Sequence, residues 1–244
     1  MAAHNEEDNI TDIVDHSDRL TAVGQQGHCS CCYAWTGLGC IEFLLNKDKQ
    51  PNDFVVLSKQ ELADCVPVKF PPKEDAKPDL VGCYTSSINQ AFRYVKKYGV
   101  NTEENYGYVG RRGACRTDFD NIQEENRHWI TDFETIDCEN ESEILRALVK
   151  QPLAASMTAY KSLRELREEI YEGPKPGEKG AGHAIILSSW GTDVDTGKKC
   201  SGRGAKSRTL NVISAGSCNY MDAELVLIVS STDGKYRVDF NHVL

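Results

Sequence analysis

The sequence has no long hydrophobic run. Its longest fully apolar stretches, such as Leu225 to Val229, fall far short of the roughly 20 residues that a membrane-spanning helix needs. The first residues, MAAHNEEDNITDIVDHSDR, are acidic and polar and lack the apolar segment of a signal peptide. Positive charge is also scarce. Lys and Arg total 28 against 37 Asp and Glu, a formal net charge of −9, so the basic footprint of a general nucleic-acid binder is excluded. There is no internal repeat and no low-complexity tract, which excludes repeat architectures. Ten cysteines in 244 residues are too few for a small disulfide scaffold. They are many for a reduced cytosolic enzyme, so oxidised pairs are expected. That expectation conflicts with the missing signal peptide. Two readings reconcile them: a mature fragment given a start Met, or a chain that has lost its export signal.

What is present is a soluble globular composition, 40% apolar and 27% charged, long enough for one large domain or two tightly joined halves. The chain centres on GQQGHCSCCYAW, Gly24 to Trp35. Cys32 opens an apolar run in which Ala34, Leu38, Ile41 and Leu45 recur at helical spacing. A thiol at a helix start faces unpaired N–H groups and the positive end of the dipole, both of which favour the nucleophilic thiolate. Cys32 is therefore the first candidate for chemistry.

The run Cys32 to Leu45 predicts a buried central helix. Ser58 and Glu61 form a capping-box signature for a second, and Val66 to Lys77 reads as a Pro- and Lys-rich loop. A third helix is expected over Ser86 to Tyr98, ended by Gly99, and a fourth over Glu141 to Lys150, stopped by Pro152. Strands are expected at Leu153 to Ala159, His183 to Trp190, Thr209 to Ser214 and Glu224 to Ser231. Residues before about position 19 read as a polar lead-in. Helices early and strands late imply an α+β protein of two subdomains.

Several ordered motifs resemble the papain-like cysteine peptidases. Gln26-Gly27-His28-Cys29-Ser30-Cys31-Cys32-Tyr33-Ala34 resembles the family's Q-G-x-C-x-x-C-[WY]-A. LSKQELADC (Leu57 to Cys65), Gly82-Cys83, AFRYVKKYGVNTEENYGYVG (Ala91 to Gly110) and Cys115 follow in family order. QPLAASM, EEIYEG and GHAIILSSWGTD resemble strands of the family's second half. His183 follows Cys32 by 151 positions, near the family's separation of about 130–150.

The resemblance implies a papain-like two-subdomain fold over residues 8–240. A helical half (about 20–115) and a β-barrel-like half (about 116–236) would flank an active-site cleft. It implies a thiol endopeptidase working through a Cys32 thioester, with His183 as general acid and base. Gln26 Nε2 and the Cys32 backbone N–H would form the oxyanion hole. It pairs Cys29 with Cys83 and Cys65 with Cys115. Ser86, Ser156, Ala181 and Ala184 fall where the family binds substrate. The implied partners are a peptide or protein substrate and a protein inhibitor, with no nucleic acid, no membrane, no cofactor and no metal. The implied state is a monomer, in a lysosome, a vacuole or outside the cell. The missing signal peptide leaves the cytosol as the alternative.

The chain departs from the family in three places. Ser214-Ala215-Gly216-Ser217 falls on the family's Asn-Ser-Trp-Gly. Ser214 then replaces the asparagine that orients the histidine, and its hydroxyl can accept an imidazole N–H. Asn211 points to the opposite strand face, and Asn219 requires a shifted register. Tyr84-Thr85-Ser86 stands where the family has Asn-Gly-Gly, and no inhibitory pro-segment is present. These changes support an alternative, a non-catalytic papain-fold protein that binds peptides, inhibitors or a protein partner.

Other features have plainer readings. The packed His28-Cys29-Ser30-Cys31-Cys32 cluster suits zinc poorly. Cys200 with Cys218 is a candidate bridge outside the family pattern. Cys31, Cys40 and Cys138 have no assigned partner. The basic segment Gly197 to Arg208 reads as a solvated hairpin loop. The Asn9 and Asn140 sequons are expected to be unused without export.

Overall fold

Helix α1 spans Cys32–Leu45, and ten of its fourteen residues are buried. Such all-round burial follows from an apolar sequence with no polar face. Leu38 and Ile41 are fully buried, each a gain of roughly 1.5–3 kcal/mol. The computed structural model describes residues 13–165, 173–192, 199–201, 213–214 and 225–231.

Helix α2 spans Lys59–Lys69, capped by the Ser58 side chain, which accepts the Glu61 N–H at 2.9 Å. Only half of the capping box forms. The Ser58 N–H bonds the Asn101 carbonyl instead, which frees Glu61 for a longer-range task. Its buried carboxylate accepts the Tyr94 and Thr117 hydroxyls and the Asn101 N–H, and pairs with Arg127. The helix also runs past Val66 and through Pro67, into the segment expected to be loop. Proline removes one donor near the helix end, while fully buried Cys65 and Val66 hold the turn and Phe70 still bonds Val66.

Helix α3, Ile88–Tyr98, starts two residues later than expected because Ser87, not Ser86, is its cap. It ends at Gly99, whose φ of 67° lies in the left-handed region. A Cβ there would also meet the Trp129 ring at 2.5 Å, so glycine is needed on both counts.

The second half is built on antiparallel strands. Strands β1 (Ile13–Asp15), β2 (Val100–Asn101), β3 (Arg127–His128), β4 (Ile130–Ile136) and β5 (Leu153–Ala159) come first. They are followed by β6 (Ala181–Leu187), β7 (Ser189–Thr192), β8 (Lys199–Ser201), β9 (Ile213–Ser214) and β10 (Leu225–Ser231). One sheet has the order β4-β10-β5-β6, a second has β1-β7-β8-β9, and β2 pairs with β3. Helix α4 (Glu141–Lys150) is capped by Asn140, and the short α5 (Lys161–Glu165) follows β5.

The expected strand from His183 to Trp190 is two strands in different sheets. The break falls at Ser188, whose carbonyl accepts the His16 N–H at 2.9 Å and so turns toward the N-terminal arm. Strands β1 and β4 were not expected. The first is three residues inside a polar lead-in. The second buries only its ends, Ile130 and Ile136, and shows no alternation. The expected strand from Thr209 lies outside the described residues apart from Ile213–Ser214.

Two apolar clusters form. The first gathers α1, α2 and α3 with Ala154 and Ala184, and the second gathers α4 with β5, β6 and Trp190. Strand β6 serves both. Ala184 and Ile186 join the first cluster, while Ile185 and Leu187 join the second, as strand alternation requires. Among the described residues no helix is long and apolar enough to cross a membrane.

Candidate active site

Cys32 is the first residue of α1 and is half-buried. Three backbone N–H groups, those of Ala184, Tyr33 and Cys32 itself, lie near enough to the thiol to pull its pKa down. Two belong to the helix start and one to β6. Burial is the largest influence and pushes the thiol above its ordinary range, against the pull of those donors. The helix end expected to favour a thiolate is present, but burial outweighs it. The proton must therefore be drawn off by a base.

His183 immediately precedes Ala184 in β6, opposite Met157 in β5. It is half-buried at the exposed end of the strand, where Ala181 and Gly182 face solvent. With the Ala184 backbone near the thiol, His183 lies one residue from that approach, although 151 positions separate it from Cys32 in sequence.

Gln26 reaches the site through a loop with its own requirements. Gly27 has φ of 66°, while a Cβ there would meet nothing within 4 Å, so the need for glycine is conformational rather than steric. Gly24 is the reverse case. A Cβ on it would strike the Trp35 ring at 2.3 Å. The Gln26 side-chain Nε2 donates to the Cys29 carbonyl at 2.7 Å. An amide nitrogen carries two hydrogens, so one donor remains for another acceptor.

The loop is closed from below by a disulfide between Cys29 and Cys83, with Cα atoms 5.2 Å apart. A second joins Cys65 to Cys115 at 4.8 Å. Each closes a loop of about 50 residues, 54 and 50 positions respectively. Cys31 and Cys40 are buried thiols outside these bridges. Among the described residues, no three His, Cys, Asp or Glu side chains gather to hold a metal.

Asp79 is a functional neighbour that the sequence reading missed. One carboxylate oxygen accepts the Val81 and Cys83 N–H groups at 3.0 and 2.8 Å, and the other accepts the Ser30 N–H at 2.7 Å. It clasps the Cys83 loop to the loop that precedes α1. Slight burial raises its pKa, but the Ser30 side chain and the three N–H donors outweigh this and hold it below its ordinary value. The local signal was an Asp two residues before a turn that ends in glycine, a common Asx arrangement.

Of the candidate substrate-binding residues, Ser156 and Ala184 lie directly opposite in register and share the face of the sheet turned to α1. Ala181 is exposed and lies on the other face of β6 by alternation. Ser86 comes from the helical half, where its hydroxyl contacts Gln90. Ser214 pairs with Cys200 through the β9 backbone. Its side chain, and Asn211, Asn219 and Cys218, lie outside the described residues.

The chain is similar to known proteins over most of its length. A cysteine protease of Blomia tropicalis is 29% identical over 177 residues, covering 71% of this chain and 50% of that protein. Ananain of Ananas comosus is 29% identical over 184 residues, covering 75% and 47%. The chain thus spans about half the length of the curated relatives it matches. Among solved structures, a bromelain protease of Ananas comosus in complex with the E64 inhibitor superposes with a TM-score of 0.66. It is 22% identical and covers 89% of this chain and 98% of that one. Procathepsin L 3 of the Tenebrio molitor larval midgut gives 0.68 at 17% identity, covering 93% and 73%. The family model described as papain family cysteine protease matches residues 9–201. With the α+β fold and the thiol at the start of its central helix, this chain belongs to the papain family of cysteine proteases.

Proposed function

We propose that this chain is a cysteine-type endopeptidase. The observation that carries the reading is the Cys32 thiol, at the start of α1, packed against the cluster that holds Ala184, the residue next to His183 in β6. His183 would take the Cys32 proton and leave a thiolate–imidazolium pair. The thiolate would attack a peptide carbonyl carbon, with the negative oxygen held by the free Gln26 Nε2 hydrogen and the Cys32 N–H. Collapse would break the C–N bond, with the imidazolium protonating the leaving amine. Water, deprotonated by His183, would then hydrolyse the thioester. Ser214 would take the orienting role on the far side of the imidazole. Ser86, Ser156, Ala181 and Ala184 would contact the substrate. Substrates would be peptides or proteins, and the E64 inhibitor held by the bromelain structure is a suitable probe. Two bridges in one chain support an oxidising compartment: a lysosome, a vacuole or the extracellular space.

The second reading, a non-catalytic binder, draws on a specific observation too. Burial raises the Cys32 thiol, and Tyr84, Thr85 and Ser86 stand where the family has Asn-Gly-Gly. One experiment separates the two. The folded protein is treated with a thiol-directed epoxide and the adduct located by mass spectrometry. Stoichiometric labelling of Cys32 that disappears in His183→Ala supports the peptidase. An unlabelled Cys32 that still reacts with a small alkylator refutes it and supports the binder.

A further inference from the structure

Gln26 is held at two points, and only one of them involves its own amide. Its side chain leans on the Cys29 carbonyl at 2.7 Å. Its backbone carbonyl accepts a hydrogen bond from the Tyr108 hydroxyl, also at 2.7 Å, across 82 positions of sequence. The same phenol oxygen lies 3.3 Å from the Cys31 sulfur. A tyrosine has one hydroxyl proton, and the short contact to Gln26 uses it. The phenol oxygen must then accept from the thiol. Cys31 can supply the proton, because its side chain is fully buried and burial holds the thiol up at about 11. The resulting relay runs from the Cys31 S–H to the Tyr108 oxygen, and from the Tyr108 O–H to the Gln26 carbonyl.

Tyr108 is itself fixed at two further points. Its backbone N–H donates to the Glu103 carboxylate at 2.7 Å. Its ring meets Trp35 edge-on, with centroids 5.1 Å apart and planes at 82°. Trp35 in turn is the surface on which Gly24 rests. The loop carrying Gln26 is thereby bounded by Trp35 before it, the phenol on its carbonyl, and the Cys29–Cys83 bridge after it.

We propose that Tyr108, with the Cys31 thiol as its hydrogen-bond donor, is the positioning residue that sets the Gln26 amide for the developing oxyanion. This rests on the peptidase reading of the site. Tyr108 touches neither Cys32 nor the reacting carbonyl in that scheme. It acts through the loop that carries Gln26, so its effect falls on steps that generate an oxyanion.

That selectivity is the test. Tyr108→Phe removes the hydroxyl and keeps the ring against Trp35. Its kcat for a peptide or ester substrate falls by about 10- to 100-fold, short of the full loss of an oxyanion donor, which is on the order of 100- to 1,000-fold. KM stays within about twofold. Alkylation of Cys32 by chloroacetamide is a displacement at saturated carbon and makes no oxyanion, so its rate also stays within about twofold. Cys31→Ala gives a smaller loss of kcat, and Cys31→Ser, which restores a donor to the phenol, recovers it. Amide exchange is read on the same proteins and requires no turnover. The Ser30 and Cys31 N–H groups, bonded to Asp79 and to the Cys29 carbonyl, exchange at least about tenfold faster in Tyr108→Phe. Unchanged exchange overturns the proposal whatever the activity. So does a loss of alkylation in step with turnover, which would show that the thiol rather than the oxyanion hole was disturbed. A wild-type protein that neither turns over substrate nor takes the epoxide refutes the peptidase reading instead, and the exchange comparison still decides whether Tyr108 holds the loop.

Discussion

Removing one carboxylate from the middle of α1 should nearly unfold this protein. Glu42 is fully buried, and its side chain pairs with the Lys59 ammonium, itself 95% buried by side-chain area. The same carboxylate accepts the Leu57 N–H at 2.7 Å and the Thr21 hydroxyl. Glu42→Gln keeps the shape and an acceptor for Leu57, but leaves the ammonium without its counter-charge. Breaking a buried pair from one side costs about 3–5 kcal/mol. For a chain of this size each kcal/mol shifts Tm by about 2–4 °C. The expected drop is therefore roughly 6–20 °C, read by circular dichroism at neutral pH and checked by urea unfolding.

The double variant Glu42→Met with Lys59→Met sharpens the reasoning. It removes both charges and leaves only the Leu57 N–H and the Thr21 hydroxyl without their acceptor, about 1–3 kcal/mol for a buried donor. It should be more stable than either single variant. A Glu42→Gln protein that loses under 1 kcal/mol, or a double variant whose loss equals the sum of the singles, refutes the pairing argument.

Other perturbations have equally definite outcomes. Cys65→Ala with Cys115→Ala should lower stability by about 2–5 kcal/mol, measured by denaturant midpoint under oxidising conditions. Gly27→Ala forces a side chain into the left-handed region and should cost about 1–2 kcal/mol with no steric clash to relieve, while also slowing acylation. The Asp79 carboxyl has its folded pKa depressed below the 3.8 of its free form. A depressed acid stabilises the fold above its unfolded pKa and loses that contribution as pH falls through the folded one. The stability gap between the wild type and Asp79→Asn should accordingly be constant from pH 5 to 7 and close as pH drops below about 3.8; a gap that persists at pH 2 contradicts the assignment.

The sequence made local features legible and left long-range ones obscure. The bounds of α1 and α4 and the strand at Leu153–Ala159 agree with the pattern because each is a local run set off by a polar break, a cap or Pro152. Ser58 was readable as a cap, but its partner Glu61 was not readable as the hub of a buried network. Nothing in a capping box reports that Arg127 and Tyr94 will arrive from elsewhere. Strand β4 escaped because only its ends face a core. At the site, Cys32 and His183 could be paired by motif and spacing, whereas Tyr108 could not. Its importance lies in a contact with a backbone carbonyl, which leaves no side-chain signature at Gln26.

Strand β6 carries a thermodynamic consequence. Its Ala184 and Ile186 belong to one apolar cluster and its Ile185 and Leu187 to the other, and Cys32 packs against the cluster that holds Ala184. Neither half can melt without stripping one side of this strand. The two clusters are therefore bound into one cooperative unit, and the Cys32 thiol packs against the first of them beside β6. Heat, urea or a distant core mutation that loosens either half will be felt first as a change in the reactivity of Cys32. The thiol is in effect a reporter of the integrity of the whole molecule.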